Sequence, residues 1–114
     1  MIGSAKLLQS QNVAPSTSLN AFITPSSINT TSKNGAYTSP NFTINVTGGT
    51  PPYEYAWSAT NSFSVNSSTS SVTTVSASGY NDFERSVITC VVTDGALDTK
   101  SATANISVTF GVLL

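Results

Sequence analysis

The feature that most constrains this chain is an alternation of apolar and polar residues, with a period of two, near its C-terminal end. Ala102, Ala104, Ile106, Val108 and Phe110 alternate with Ser101, Thr103, Asn105, Ser107 and Thr109. Successive side chains of a β-strand point to opposite faces, so this run predicts a strand with one buried and one wet face. A helix would scatter the same residues around its circumference. Phe42, Ile44 and Val46 alternate in the same way with Asn41, Thr43, Asn45 and Thr47. Tyr53, Tyr55 and Trp57 share one face, and Glu54, Ala56 and Ser58 the other. From Val87 to Thr93, Ile88, Cys90 and Val92 face one way and Val87 and Val91 the other. Apolar residues on both sides predict a central strand that is at least partly covered on both faces.

Turn chemistry separates these runs. A first strand, with Leu19, Ala21 and Ile23 on one face, breaks at Pro25-Ser26-Ser27. Lys33-Asn34-Gly35 is a turn signal, and Gly48-Gly49-Thr50-Pro51-Pro52 lies between two strands. Ser62 to Asn66 and Ser71 to Ser76 read as weaker strands. Gly79 to Asp82 and Asp94 to Asp98 read as loops. About seven short strands and no helix predict an all-β, Greek-key β-sandwich. Its core is expected to contain Ile44, Trp57, Ile88, Cys90, Val92, Ile106 and Val108.

The 114 residues suit one domain, expected over 19–110, with an extended N-terminal arm at 1–18 and an apolar C-terminal tail at 111–114. Only 8% of residues are charged, far below the usual quarter, and Ser, Thr and Asn supply the polarity instead. The ten aromatics (Phe 5, Tyr 4, Trp 1) and the regular alternation argue against a disordered chain. Lys6, Lys33, Arg85 and Lys100 are scattered, which leaves no basic patch for nucleic acid. No segment is long and apolar enough to cross a membrane as a helix. Residues 1–11 lack the apolar stretch of a secretory signal, and Met1 fits either a complete small gene product or, on a weaker reading, a segment of a larger surface protein. Cys90 stands alone and has no partner for an internal disulfide.

The same residues bound the chemistry. The chain contains no His, the commonest general acid–base, so no enzyme activity and no catalytic residues are expected. Ligands for zinc or iron are missing. Asp82 with Glu84, or Asp94 with Asp98, would supply half of a calcium site, but no spacing matches an EF-hand and hairpin loops are often acidic for turn reasons. No metal and no cofactor are expected. Asn-x-Ser/Thr acceptors at Asn29, Asn41, Asn45, Asn66 and Asn105 are little more than a Ser/Thr-rich composition produces by chance. Tyr53, Tyr55 and Trp57 read as core rather than as a sugar-stacking platform.

Gly48-Gly49-Thr50-Pro51-Pro52-Tyr53-Glu54-Tyr55-Ala56-Trp57, followed by Val91-Val92-Thr93-Asp94-Gly95 and a final alternating strand, resembles PKD-like and bacterial or phage immunoglobulin-like domains. The resemblance covers roughly residues 36–110. It implies an immunoglobulin-like sandwich with Trp57 on strand C in the core. Cys90 would take the strand-F position, but Ile44 stands where a strand-B Cys would pair with it, and Ile88 stands where antibody-type domains place a Tyr. Such domains occur in adhesins, in glycan-binding modules and on phage capsid and tail proteins.

The chain ends sharpen that expectation. Ile2, Leu7 and Leu8 at one end and Val112, Leu113 and Leu114 at the other offer apolar side chains for docking on a neighbouring subunit. The expected role is therefore a non-enzymatic structural virion protein: a phage capsid decoration, head-completion or tail component. Its partners would be other virion subunits or further copies of itself. The alternative is a cell-surface or extracellular adhesion or carbohydrate-binding module. Its glycan site would lie on loops at one end of the sandwich, among residues 48–52, 79–84 and 94–98.

Overall fold

A computed structural model describes residues 17–33 and 35–111. The expected docking residues Ile2, Leu7, Leu8, Val112, Leu113 and Leu114 lie outside the described residues, as do residues 1–16 of the expected arm.

The described chain is all-β, with ten strands rather than about seven: β1 (Asn20–Thr24), β2 (Ser27–Ser32), β3 (Ala36–Thr38), β4 (Phe42–Thr47), β5 (Glu54–Ala59), β6 (Ser64–Val65), β7 (Val72–Thr73), β8 (Val75–Ser78), β9 (Asp82–Thr93) and β10 (Thr99–Phe110). The excess has local causes. Pro25 has no N–H to give to a ladder, so the first strand divides there. β1 then pairs antiparallel with β4, and β2 pairs parallel with β10. The run near residue 74 divides because it changes sheets: β7 pairs with β4, whereas β8 pairs with β3 and β6.

The strands form sheets in the orders β1-β4-β7, β2-β10-β9-β5 and β3-β8-β6. The long sheet is built on the 12-residue antiparallel pair β9–β10, with Cys90 opposite both Ala102 and Trp57. Its inner face contributes Trp57, Ile88, Cys90, Val92, Ala104, Ile106, Val108 and Phe110 to a single buried cluster. Ile23, Phe42, Ile44, Val75 and Ala77 from the other sheets join that cluster, as do Ala102 and Phe63, giving a sandwich-like two-sided core. Burying a large aliphatic or aromatic side chain contributes about 1.5–3 kcal/mol, so this cluster dominates stability.

Hydroxyl and amide side chains at and near the core are hydrogen-bonded to neighbouring backbone and side chains. Buried Ser39 donates its backbone N–H to the Val75 carbonyl (2.8 Å), and its Oγ accepts the Val75 N–H (2.9 Å). Thr73 Oγ1 accepts the Ser67 N–H at 2.9 Å. The Asn66 side-chain amide donates to Thr74 Oγ1 and Ser76 Oγ. Short side chains here continue hydrogen bonding where the strands are too short to do so, and an unpaired buried donor or acceptor would otherwise cost about 1–3 kcal/mol.

Candidate functional site: the outer face of the long sheet

β9 begins at Asp82, inside the segment expected to be a loop. In its first half the usual polarity is inverted. Glu84 and Ser86 lie on the inward parity with Ile88, while Phe83, Arg85 and Val87 point outward, with Phe83 49% and Val87 41% exposed. Ser86 is tolerated inside because Thr60 saturates it. The Thr60 N–H donates to Ser86 Oγ (2.8 Å), and Ser86 Oγ donates to the Thr60 carbonyl (2.9 Å).

This bonding also shapes the surface. β5 ends at Ala59, opposite Ile88, while β9 and β10 continue past it. Beyond that point side chains replace the missing strand. The Val87 N–H donates to Thr60 Oγ1 (2.9 Å), Asn61 Nδ2 donates to the Arg85 carbonyl (2.5 Å), and Ser62 Oγ donates to Glu84 Oε1 (2.7 Å). Asn61 takes a left-handed backbone (φ 60°), one of the few non-glycine residue types that does so readily.

The outcome is a groove of about 610 Å³ across β2, β10 and β9, with Thr60 and Asn61 on its rim. The pairing register arranges its floor in rows. Ser27, Asn105 and Val87 form one row, and Asn29, Ser107 and Arg85 the next. The Arg85 guanidinium sits 5.1 Å from the centroid of the Phe83 ring, a cation–π distance. Arg85 is the one charged side chain in the lining.

The loops expected to carry a glycan site are arranged differently. Residues 48–52 and 94–98 do meet at one end, but they are locked together. Asp94, only 3% exposed, accepts N–H groups from Thr50 at Oδ2 (2.9 Å) and from Ala96 (3.0 Å) and Asp98 (2.9 Å) at Oδ1. The Thr50 N–H holds this carboxyl below the ordinary carboxylate range, against the opposing effect of burial and with the help of the Asp98 and Ala96 N–H groups. A Cβ at Gly95 would stand 2.7 Å from the Pro51 carbonyl oxygen, so the two loops approach too closely for any side chain there. Tyr53 Oη donates to the Gly48 carbonyl at 2.6 Å, and the Gly49 N–H donates to Thr17 O at 2.9 Å. Residues 79–84 lie at the opposite end of the molecule, about 35 Å away along β9 at 3.3 Å per residue.

Asp94 is therefore a loop organiser whose oxygens are occupied by backbone N–H groups. Among the described residues no three His, Cys, Asp or Glu side chains converge on a point that would hold a metal ion. Tyr53 and Tyr55 pack against the core and Trp57 is buried within it. Lys100 and Asn105, a pair with the residue types of a Lys–Asn cross-link, are both exposed on β10 and stand five residues apart on opposite faces. Cys90 is fully buried, and burial pushes its thiol up to about 11, against a backbone hydrogen bond from Ala56. It is a core residue without nucleophilic character.

No protein-family model matches the sequence, and no curated protein is a match to it.

Sequence reasoning missed the groove because it ended a loop at Asp82 and began the strand only at Val87, leaving the polar residues 83–86 outside any strand. The available signal was Phe83, Arg85 and Val87 at spacing two, continuing in register the outward positions Thr89 and Val91.

Proposed function

We propose that this chain is an immunoglobulin-like Greek-key domain that acts as a non-enzymatic structural subunit of a virion, docking on other subunits or on further copies of itself. The strand pairing supports the fold part of this reading. β1, β4 and β7 fall in one sheet and β5, β9 and β10 in another, the partition of strands A, B and E from C, F and G in such sandwiches.

One observation carries the functional part: the outer face of the long sheet is broad and almost uncharged. Its β10 positions are Thr99, Ser101, Thr103, Asn105, Ser107 and Thr109, and its β9 positions include Phe83, Val87 and Val91. Among the described outward strand positions of this sheet, only Arg85 and Glu54 are charged, near opposite ends. Covering such a face with protein strips few charges of water, and that desolvation is the costly part of burying polar surface. The apolar residues of the two chain ends would add anchors.

Sedimentation velocity tests the reading. The full chain is expected to form a defined oligomer. A full-length variant with Ser at Ile2, Leu7, Leu8, Val112, Leu113 and Leu114 is expected to be a folded monomer. Folded monomers in both cases would overturn assembly through the ends.

A further inference from the structure

We propose that the groove on the outer face of β2, β10 and β9 binds a short saccharide bearing a carboxylate, with Arg85 receiving the acid group and Asn29, Asn105 and Ser107 meeting the sugar hydroxyls. This goes beyond the structural role: the groove occupies one end of the same outer face, where a docked subunit would cover it, so the two readings assign that end different occupants, and the proposal uses no residue of the chain ends.

The size is appropriate. The groove holds about 610 Å³, inside the range of about 300–1,000 Å³ in which small-molecule sites fall. The floor has the right grain as well. Rows lie about 7 Å apart along the strands and columns about 5 Å apart across them, spacings on the scale of a sugar ring.

The chemistry narrows the ligand. Asn29 and Asn105 place side-chain amides on adjacent strands, one row apart, and Ser27 and Ser107 place hydroxyls beside them. An amide offers both donors and acceptors, and a hydroxyl does the same on a smaller scale. A surface on which every polar group plays both parts suits a ligand whose own groups are hydroxyls, each again donor and acceptor. Val87 and the half-exposed Phe83 ring supply the apolar contact that the C–H face of a pyranose needs.

Charge selects within that class. Arg85 is the sole charge in the lining, and no carboxylate shares the groove with it. Its neighbour Glu84 is on the inward parity of β9 and accepts a hydrogen bond from Ser62. The Phe83 ring beneath the guanidinium limits its freedom, so that less is lost when its planar edge pairs with a carboxylate. One isolated cation is too little for a polyanion such as nucleic acid. It fits one acidic group on an otherwise neutral ligand.

The test is an NMR titration of the isotope-labelled full chain with a trimer of two neutral galactose units and one terminal galacturonic acid, which carries a single carboxylate, and in parallel with its methyl-esterified, uncharged form. The acidic trimer is expected to shift the side-chain amides of Asn29 and Asn105 and the Arg85 Nε–H, leaving core resonances in place. Arg85→Gln is expected to weaken the acidic trimer about tenfold, the loss of one charge-assisted pair, and to leave the ester unchanged. Asn105→Ala is expected to weaken both forms. Unchanged amide shifts elsewhere establish that each variant is folded. The proposal is overturned if neither trimer shifts these groups up to its solubility limit or if the shifts map to another surface. Equal binding of the two trimers, with Arg85→Gln without effect, overturns the acidic class. Sedimentation results bear on the chain ends alone, so the two readings fail separately.

Discussion

Thr50 and Asp94 are joined across the end of the sandwich by a 2.9 Å hydrogen bond from the Thr50 N–H to Asp94 Oδ2. The same carboxylate accepts the N–H groups of Ala96 and Asp98, so one side chain ties the β4–β5 connection to the β9–β10 hairpin. Both carboxylate oxygens accept, so a proton on either one weakens at least one of the three bonds and the ionised form is favoured.

This gives the molecule an acid-sensitive clamp. The Asp94 carboxyl is held below its ordinary value, so the unfolded chain binds that proton more tightly than the folded one. The stabilisation is therefore complete above the unfolded value of about 3.9 and is lost as pH falls through the folded value. Urea unfolding of the wild type between pH 7 and pH 2 is expected to show stability falling below about pH 4. Asp94→Asn sets an amide N–H₂ against backbone donors. It is expected to be less stable at pH 7 and to show a shallower acid decline than the wild type. Parallel acid declines in the two proteins would remove Asp94 from this role.

Trp57 does more than fill space. Its Nε1–H donates to the Ser70 carbonyl (2.6 Å) and its backbone N–H donates to the Ser68 carbonyl (2.9 Å). Residues 68–70 thereby lie along the otherwise open edge of β5, where an unpaired strand invites association. Trp57→Phe keeps an aromatic ring but removes the indole donor and some volume. It is expected to cost about 1–3 kcal/mol in chemical denaturation and to speed hydrogen exchange at the backbone amide of residue 57 more than at the Ile106 amide. Unchanged stability with unchanged exchange would show that the indole bond does not hold this segment.

How much of this was legible in the sequence follows from where polarity reports orientation. In β10 it reports faithfully: every apolar residue from Ala102 to Phe110 is buried. Buried Ile44, Trp57, Ile88, Cys90 and Val92 likewise lie where alternation places them. In β9 the rule fails between Asp82 and Ser86, because Thr60 satisfies Ser86 inside while Phe83 is left outside. That pairing joins residues 26 apart and leaves no periodic trace in either segment. The groove exists because β5 stops at Ala59 while β9 runs on, a length mismatch between strands distant in sequence. The lock between the 48–52 and 94–98 loops was hidden for the same reason, since an Asp in a hairpin reads as local turn chemistry until its partner across the sandwich is known.

Cys90 provides an internal reporter of opening. Its side chain is fully buried, opposite Trp57 and Ala102 on the two neighbouring strands. Burial raises the thiol to about 11, with a backbone hydrogen bond from Ala56 acting weakly the other way. The reactive species is the thiolate, so at pH 8 the native thiol is both inaccessible and protonated. In the unfolded chain the thiol ionises near its ordinary value of about 8.5. Folded protein binds this proton more tightly, so the contribution to stability is complete below about 8.5 and declines as pH rises from there through the folded value. An aromatic disulfide reagent at pH 8 is expected to leave the native protein unlabelled over minutes and to label it at once in urea. Slow native labelling should reach a plateau rate, independent of reagent concentration, that equals the unfolding rate. Cys90→Ala is expected to lower stability by about 1–2 kcal/mol through the small cavity it leaves, and it should remove the alkaline decline due to this thiol. Prompt labelling of the native protein would mean that the long sheet opens locally at its centre and that Cys90 is not sealed by the β5–β9–β10 packing.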